Sequence, residues 1–251
     1  MNPKEFEREM RKGECFHALR VPPGMWTVVR VDGRGFSRFT ESRFEKPFDI
    51  RFRRCMEAAA KGLIEALGGV YAYTESDEIS MLLPRDWDGF DREVEKLVSL
   101  AAGATSASFT QAAGEPAMFD ARIWVGASEA AVVDYFRWRQ YDATRCCLNG
   151  HCYWMLRNDG LTATAATAEL DSKNAAAKQE MLFQRGINFN GLPAWQRRGF
   201  ALRFHAEPRT GEDPRTGESV DVVRRVLRLD DELPMGPDYT EYLLALLRET
   251  A

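Results

Sequence analysis

Trp26-Thr27-Val28-Val29-Arg30-Val31-Asp32-Gly33-Arg34-Gly35 is a short, β-branched run that stops at an aspartate and two glycines. Branching at Cβ favours extended backbone and Asp-Gly breaks it, so the run predicts a buried strand opening into a glycine-rich turn. Downstream, Asp49 can cap a helix in which Phe52, Met56, Ala59, Leu63 and Leu67 recur at helical spacing before Gly68-Gly69 closes it. Val70-Tyr71-Ala72-Tyr73 and Ile79-Ser80-Met81-Leu82-Leu83 predict a hairpin turned by Thr74-Glu75-Ser76-Asp77-Glu78. A second helix is expected over Phe90 to Ala113 and a fourth strand over Ala121 to Gly126. The order βαββαβ predicts an α+β layer: a palm-like, four-stranded antiparallel sheet with two helices on one face and the first and third elements of the sheet adjacent at its centre.

From about Glu129 the pattern is mainly helical through Gln184, with Gly150 and Gly160 as interruptions. Two strand-like runs follow, Gly199 to His205 and Ser219 to Arg228, flanking a duplicated Pro-Arg-Thr-Gly-Glu unit within Pro208 to Glu218 that reads as an exposed hairpin loop. Tyr239 to Arg248 closes the chain as a short helix. The expectation is one compact unit: a palm-like core over residues 1–128, and a mainly helical elaboration over 129–251, ending in a β-hairpin and packed on that core.

With 251 residues and 45% hydrophobic side chains the chain can bury a real core, which excludes disorder as its main state. No apolar run approaches the roughly 20 residues of a membrane-spanning helix, and the start, Met1 to Glu7, lacks a basic-then-apolar signal pattern, so no membrane partner and a cytoplasmic location are expected. Five cysteines without C-x-x-C spacing read as free thiols. The 34 basic residues fall short of the 38 acidic ones, so any nucleic acid has to be gripped locally and not by a bulk positive field.

If the strand ending at Asp32 pairs beside the hairpin that carries Asp77, two carboxylates about 45 residues apart meet at one sheet edge. Magnesium prefers oxygen ligands and keeps waters and substrate phosphates in its shell, so two shared aspartates plus a backbone carbonyl, such as that of Gly33, would serve two ions. Such a pair suits in-line nucleotidyl transfer, one ion on the attacking hydroxyl and one on the leaving pyrophosphate. The loop Gly33-Arg34-Gly35-Phe36-Ser37 would add backbone N–H groups toward a triphosphate, and Lys46, before Pro47 and Asp49, a point charge. The same residues also have plainer readings, since Asp-Gly is an ordinary turn and an acidic hairpin tip an ordinary solvated surface. Glu75 and Glu78 compete with Asp77 as ligands, but strand alternation sends Glu78 to the opposite face, which ranks Asp77 first.

Three motifs carry a further signal: Val29 to Phe36, Phe44-Glu45-Lys46-Pro47-Phe48-Asp49, and Ala72-Tyr73-Thr74-Glu75-Ser76-Asp77-Glu78. In this order and spacing the sequence resembles the tRNA(His) guanylyltransferase family with its guanylyltransferase-like relatives. The likeness continues through Phe119 to Arg122, Tyr135 to Gln140, Lys178 to Phe183 and Ile187 to Asn190, spanning about Phe16 to Phe200. The resemblance implies a palm-like core that adds nucleotides 3′-to-5′ at the 5′ end of tRNA with magnesium, using ATP, GTP or other nucleoside triphosphates, and a homo-tetramer. It implies metal ligation by Asp32, the Gly33 carbonyl and Asp77. It further implies nucleotide contacts from Asp32 to Ser37, from Ser76 and Asp77, and from Lys46 and Asp49 near the triphosphate. The pattern breaks where the eukaryotic enzymes carry His-Ile-Asn-Asn-Leu-Tyr-Asn, for here the stretch is Thr144-Arg145-Cys146-Cys147-Leu148-Asn149-Gly150. That departure favours the bacterial-type relatives that repair truncated tRNA 5′ ends against a template over addition specific to tRNA(His).

RNA contacts are expected from Arg137, Arg139, Arg145, Arg157, Arg185, Arg197 and Arg198, interleaved with Trp138, Tyr153 and Trp195, through phosphate pairing and stacking. Lys178, Asn188 and Asn190 join them through the resemblance. Cys147, His151 and Cys152 leave open a soft-metal site or a substitute for the absent histidine. Two rival readings share these residues: a palm-type nucleotide cyclase using similar aspartates, and a catalytically dead nucleotide- or RNA-binding module.

Overall fold

The computed structural model describes residues 1–212, 215 and 217–250. Strand β1 (Trp26–Gly33) lies between β3 (Glu78–Leu82) and β4 (Phe119–Gly126), and β2 (Tyr71–Glu75) pairs with β3, all antiparallel. This puts β1 and β3 at the centre of the four-stranded palm layer, as the element order required. The sheet then continues: β5 (Phe200–Glu212) adds to β2 with Thr74 opposite Phe200, and β6 (Ser219–Asp230) adds to β5, giving the order β4-β1-β3-β2-β5-β6. The C-terminal hairpin is therefore the outer third of one six-stranded sheet. Its strands run further than expected, because Pro208 to Glu212 continue β5 where a loop was anticipated; Asp213, Pro214 and Thr216 of that loop lie outside the described residues.

Helices α3 (Ile50–Leu67) and α4 (Val94–Ala113) cover one face, where Val29, Val31, Ala72, Ile79 and Met81 pack against Met56, Ala59, Leu63, Leu97 and Phe109. Asp49 caps α3 as expected, accepting from the Arg51 amide, and Gly68 at φ 72° ends it. Helix α4 starts at Val94 and not at Phe90, since Phe90, Asp91 and Arg92 carry positive φ and form a separate turn. The opposite face, which the sequence left unassigned, is covered by α5 (Glu129–Asn158) and α9 (Gly236–Thr250). There Trp26, Val28, Tyr71, Tyr73 and Leu82 meet Val132, Phe136, Leu243 and Leu246. The hydroxyls of Tyr71 and Tyr239 lie 3.0 Å apart, so the two buried phenols satisfy each other.

Helix α5 is one element of 30 residues and passes through Gly150 without interruption. A helical glycine costs about 1 kcal/mol against alanine, and the burial of Cys147, Leu148, Cys152 and Leu156 under α6 (Ala163–Asp171) and α7 (Ala175–Phe183) outweighs it. Gly160, by contrast, does follow a helix end, at φ 92°. Two short helices, α1 (Pro3–Arg11) and α2 (Phe36–Glu41), have no counterpart among the expected elements, and α8 (Ala194–Arg198) leads into β5. Among the described residues no helix is long and apolar enough to cross a membrane.

The α3–α4 crossing depends on Gly62, where an added Cβ would come within 1.9 Å of Ser108 Oγ; at Gly103 on α4 an added Cβ meets nothing within 4 Å. Gly62→Val is expected to destabilise by about 1–3 kcal/mol through overpacking, whereas Gly103→Ala should stabilise by about 0.5–1 kcal/mol through helix propensity. Urea unfolding at constant slope measures both, and equal effects of one sign would contradict this packing.

Candidate active site

The β1–β3 register places Asp32 opposite Glu78, next to the hairpin tip, and the Gly33 amide donates to the Asp77 carbonyl at 3.1 Å. The two aspartates thus sit on backbone segments that are bonded to each other, and each side chain is half-buried. Asp77 occupies a two-residue tip with Ser76, whose φ is 48° and whose hydroxyl donates to Asp77 Oδ1 at 3.0 Å. Burial pushes the Asp77 carboxyl above the ordinary range and the charge of Asp32 adds to that, opposed by the Ser76 hydrogen bond and by Lys46. Two like charges held side by side in a partly dry site call for a cation between them.

Both glycines of the turn have local structural reasons. A Cβ at Gly33 would run into the Phe36 ring at 2.4 Å, and Gly35 takes the left-handed conformation at φ 74° ahead of α2. The Phe36 ring is buried among Phe39, Phe52, Phe109 and Phe119, so it belongs to the core. The expected cradle of loop amides is narrower than the sequence suggested. The Gly33 N–H is spent on Asp77, and the Arg34 N–H on the Met118 carbonyl at 2.8 Å. The remaining amides of the loop, at Gly35, Phe36 and Ser37, lie at the start of α2 and lack an acceptor within that helix.

Beside the tip opens a cleft of about 480 Å³ between α2, the N-terminus of α3, the end of β2 and the α5–α8 side. That volume is in the range of small-molecule sites. Its lining includes Phe36, Ser37, Lys46, Asp49, Ser76 and Asp77 from the expected nucleotide residues, whereas Asp32, Gly33, Arg34 and Gly35 lie outside it. Lys46 bonds Thr40 Oγ1 at 2.5 Å, and burial lowers its pKa against the pull of Glu41 and Asp77. Asp49 is more occupied than a free nucleotide ligand would be. Its carboxylate accepts from the Arg51 and Glu45 amides at 2.7 and 2.9 Å and pairs with the Arg51 guanidinium, which together lower its pKa to about 2. The aromatic wall of the cleft comes from Phe48, Tyr153, Trp154 and Trp195, with Lys46 Nζ 5.7 Å from the Trp154 ring centre.

Glu75 and Glu78 are buried and turned to Arg139, which reaches Glu78 Oε1 at 2.7 Å and Glu75 Oε1 at 2.5 Å. Burial raises the Glu75 pKa to about 8 against the opposing charge of Arg139. This corrects the expectation for Arg139: it is 6% exposed and fully engaged in ion pairs, so it is not a surface grip for RNA. The other candidate RNA contacts lie on separate elements. Arg137 and Arg145 are exposed on α5, paired with Asp134 at 3.6 Å and Asp142 at 2.8 Å. Lys178 on α7 donates to Asn149 Oδ1 at 2.9 Å, and Asn188 accepts from the Asn190 amide at 3.1 Å in the turn Phe189–Gly191. Arg197 and Arg198 donate to the backbone carbonyls of Leu192 and Leu233, Arg185 pairs with Asp159, and Arg157 bonds the Tyr153 hydroxyl.

The soft-metal alternative fails. His151 Nε2 faces Gln196 Oε1 at 3.2 Å with its ring stacked on Phe48, and burial pushes the Cys147 and Cys152 thiols up to about 12 and about 11. Among the described residues no group of three or more His, Cys, Asp or Glu could hold a metal ion. The donor set at the tip is thus two carboxylates with backbone oxygen, all hard donors. It fits magnesium, whose shell waters and substrate phosphates would complete.

A group whose folded pKa is depressed stabilises the fold above its unfolded pKa, and that contribution is lost as pH falls through the folded value. Asp49→Ala is therefore expected to lower the melting temperature at pH 7, with the gap from wild type closing between about pH 4 and about pH 2. A gap independent of pH would contradict the capping role.

Comparison with known proteins accords with this geometry. The family profile described as tRNAHis guanylyltransferase matches residues 7–127, and that of the Thg1 C terminal domain matches 130–226. A probable tRNA(His) guanylyltransferase of Drosophila melanogaster is 34% identical over 72% of this chain and 68% of its own. The tRNA(His) guanylyltransferase of Debaryomyces hansenii is 34% identical over 84% of this chain and 82% of its own. A bacterial tRNA(His) guanylyltransferase (Thg1)-like protein, solved in complex with GTP, superposes with a TM-score of 0.74 at 26% identity, covering 97% of this chain and 99% of that one. A complex of such a bacterial protein with ATP gives 0.75 at 26% identity, over 96% and 98%. With the palm layer, the paired aspartates and both profiles in agreement, the chain belongs to the tRNA(His) guanylyltransferase family of nucleotidyltransferases.

Proposed function

We propose that the protein is a magnesium-dependent nucleotidyltransferase that adds nucleotides 3′-to-5′ to the 5′ end of tRNA, in template-directed repair of 5′-truncated molecules. The observation that carries this reading is the backbone bonding that sets the Asp32 end of β1 against the hairpin tip, whose Asp77 lines a nucleotide-sized cleft. Asp32, Asp77 and the Gly33 carbonyl would hold two magnesium ions. When bound, these would lower the pKa of an attacking hydroxyl and neutralise charge on a leaving pyrophosphate.

The chain's own residues supply the rest. Lys46, kept beside Asp77 by its bond to Thr40, presents a cation to the phosphate tail, and the first-turn amides at Phe36 and Ser37 offer donors to the same oxygens. The aromatic wall around Tyr153 and Trp154 suits the base of a GTP or ATP substrate. A 5′-monophosphate would first take a nucleoside monophosphate from a triphosphate, releasing pyrophosphate, and the 3′-hydroxyl of the incoming nucleotide would then attack the 5′ phosphate and release that nucleoside monophosphate, both steps sharing one site. The Thr144 to Gly150 segment, where the resemblance breaks, reaches the cleft wall through Cys146, Cys147 and Gly150, which supports a substrate choice different from that of the eukaryotic enzymes. The reading extends to a palm-like core over 1–128 with an RNA-handling part over 129–251, RNA contacts from Arg137, Arg145, Lys178, Asn188 and Asn190, a cytoplasmic location and a homo-tetramer.

Extension of tRNAs lacking one 5′ nucleotide, with each triphosphate offered separately, tests this. Incorporation should follow the opposing base, and Asp32→Ala and Asp77→Ala should each reduce it by about 100-fold or more with the melting temperature little changed. Guanosine added whatever the opposing base would point to the tRNA(His) role, cyclic product without RNA to a cyclase, and unaltered function in both variants to a non-catalytic module.

A further inference from the structure

The hairpin tip that bears Asp77 is gripped by one side chain of α5, the helix that covers that face of the sheet. Arg139 places Nε 2.7 Å from Glu78 Oε1, and Nη2 2.5 Å from Glu75 Oε1, 2.9 Å from Glu78 Oε2 and 3.1 Å from Asp142 Oδ2. Glu75 ends β2 and Glu78 begins β3, so the two glutamates are the stems on either side of Ser76-Asp77. Glu78 is also the residue that faces Asp32 across the β1–β3 ladder. A single planar fork therefore ties both stems of the tip and the register partner of the second aspartate. It is itself held in place: Trp138 lies under it at 4.4 Å, and it is buried.

The tip needs such a hold. Ser76 sits at φ 48° without being glycine, a conformation that persists only where the surroundings over-determine it. We propose that Arg139 is a positioning residue: by clamping Glu75 and Glu78 it fixes the hairpin tip so that Asp77 stays beside Asp32. This rests on the reading of those carboxylates as the metal ligands. Arg139 does not line the cleft, so its effect reaches the reaction through the tip and not through contact with the nucleotide.

Arg139→Lys keeps the charge but loses the fork, since one ammonium cannot serve both carboxylates in the same plane. In the unliganded protein, amide hydrogen exchange across Ser76 to Ile79 should accelerate about tenfold while the α3 interior, Ala59 to Leu63, stays as in wild type. With tRNA and nucleotide, kcat should fall by about 100-fold, as displacement of a site by about 1 Å can produce, with KM for the nucleotide within threefold. Should Arg139→Lys fail to fold, Arg139→Met with Glu75→Gln and Glu78→Gln removes the charges together with the clamp and carries the same measurements. Unchanged tip exchange, equal acceleration of tip and α3, or a raised KM with an unmoved tip would each overturn the proposal. A wild-type chain that adds no nucleotide, yet whose tip loosens in the variant, would overturn the proposed reaction and leave the clamp standing.

Discussion

The pairing of β1 with β3 holds the site together. Its register sets Asp32 opposite Glu78 and brings the Gly33 amide onto the Asp77 carbonyl, so the two aspartates sit on backbone segments bonded to each other. A slip of one residue would send Asp32 to the α3–α4 face and Val31 to the α5 face, burying a carboxylate among Phe36, Phe109 and Phe119. The cost of that burial is what specifies the register. The apolar alternation of Val28, Val29 and Val31 between two cores and the placing of the acids are the same constraint seen from two sides.

Around that centre the layers divide the work. The α3–α4 layer supplies rigidity at the back of the turn, with Gly33 and Gly35 allowing the chain to fold tightly over Phe36. The α5 layer supplies the polar counterweight, Arg139, which lets Glu75 and Glu78 remain inside the protein without an unpaired charge. The cleft lies where the ends of these layers part, and its lining combines the polar groups of Ser76, Asp77 and Lys46 with aromatic rings, the centre of the Trp154 ring lying 5.7 Å from Lys46 Nζ.

Much of this was legible in the sequence because the signals were local. Val28 to Gly35 spells strand and turn, Asp49 and Gly68 bracket α3, and the hydrophobic runs around Ser76-Asp77 spell a hairpin. What escaped was set by contacts distant in sequence. Thr74 to Glu78 read as a five-residue polar turn, yet Glu75 and Glu78 are buried strand ends, because the guanidinium of Arg139, 64 and 61 residues away, pairs with them. Arg139 looked like one more arginine beside a tryptophan for the same reason. Gly150 read as a break, since nothing nearby in sequence announces α6 and α7 packing over that end of α5. The role of Asp49 as a cap was visible, but its further bond to the Glu45 amide was not. The Asn2-Pro3-Lys4-Glu5 box that starts α1 was a signal present and overlooked.

Crystals grown with a non-hydrolysable GTP analogue and manganese would examine the heart of the matter, through the anomalous scattering of the ion. Two peaks are expected, at least one within about 2.0–2.6 Å of oxygens from both Asp32 and Asp77, with the phosphate tail in the cleft beside Lys46. Clear nucleotide density in that cleft, with no anomalous peak touching either carboxylate, would contradict the role assigned to them.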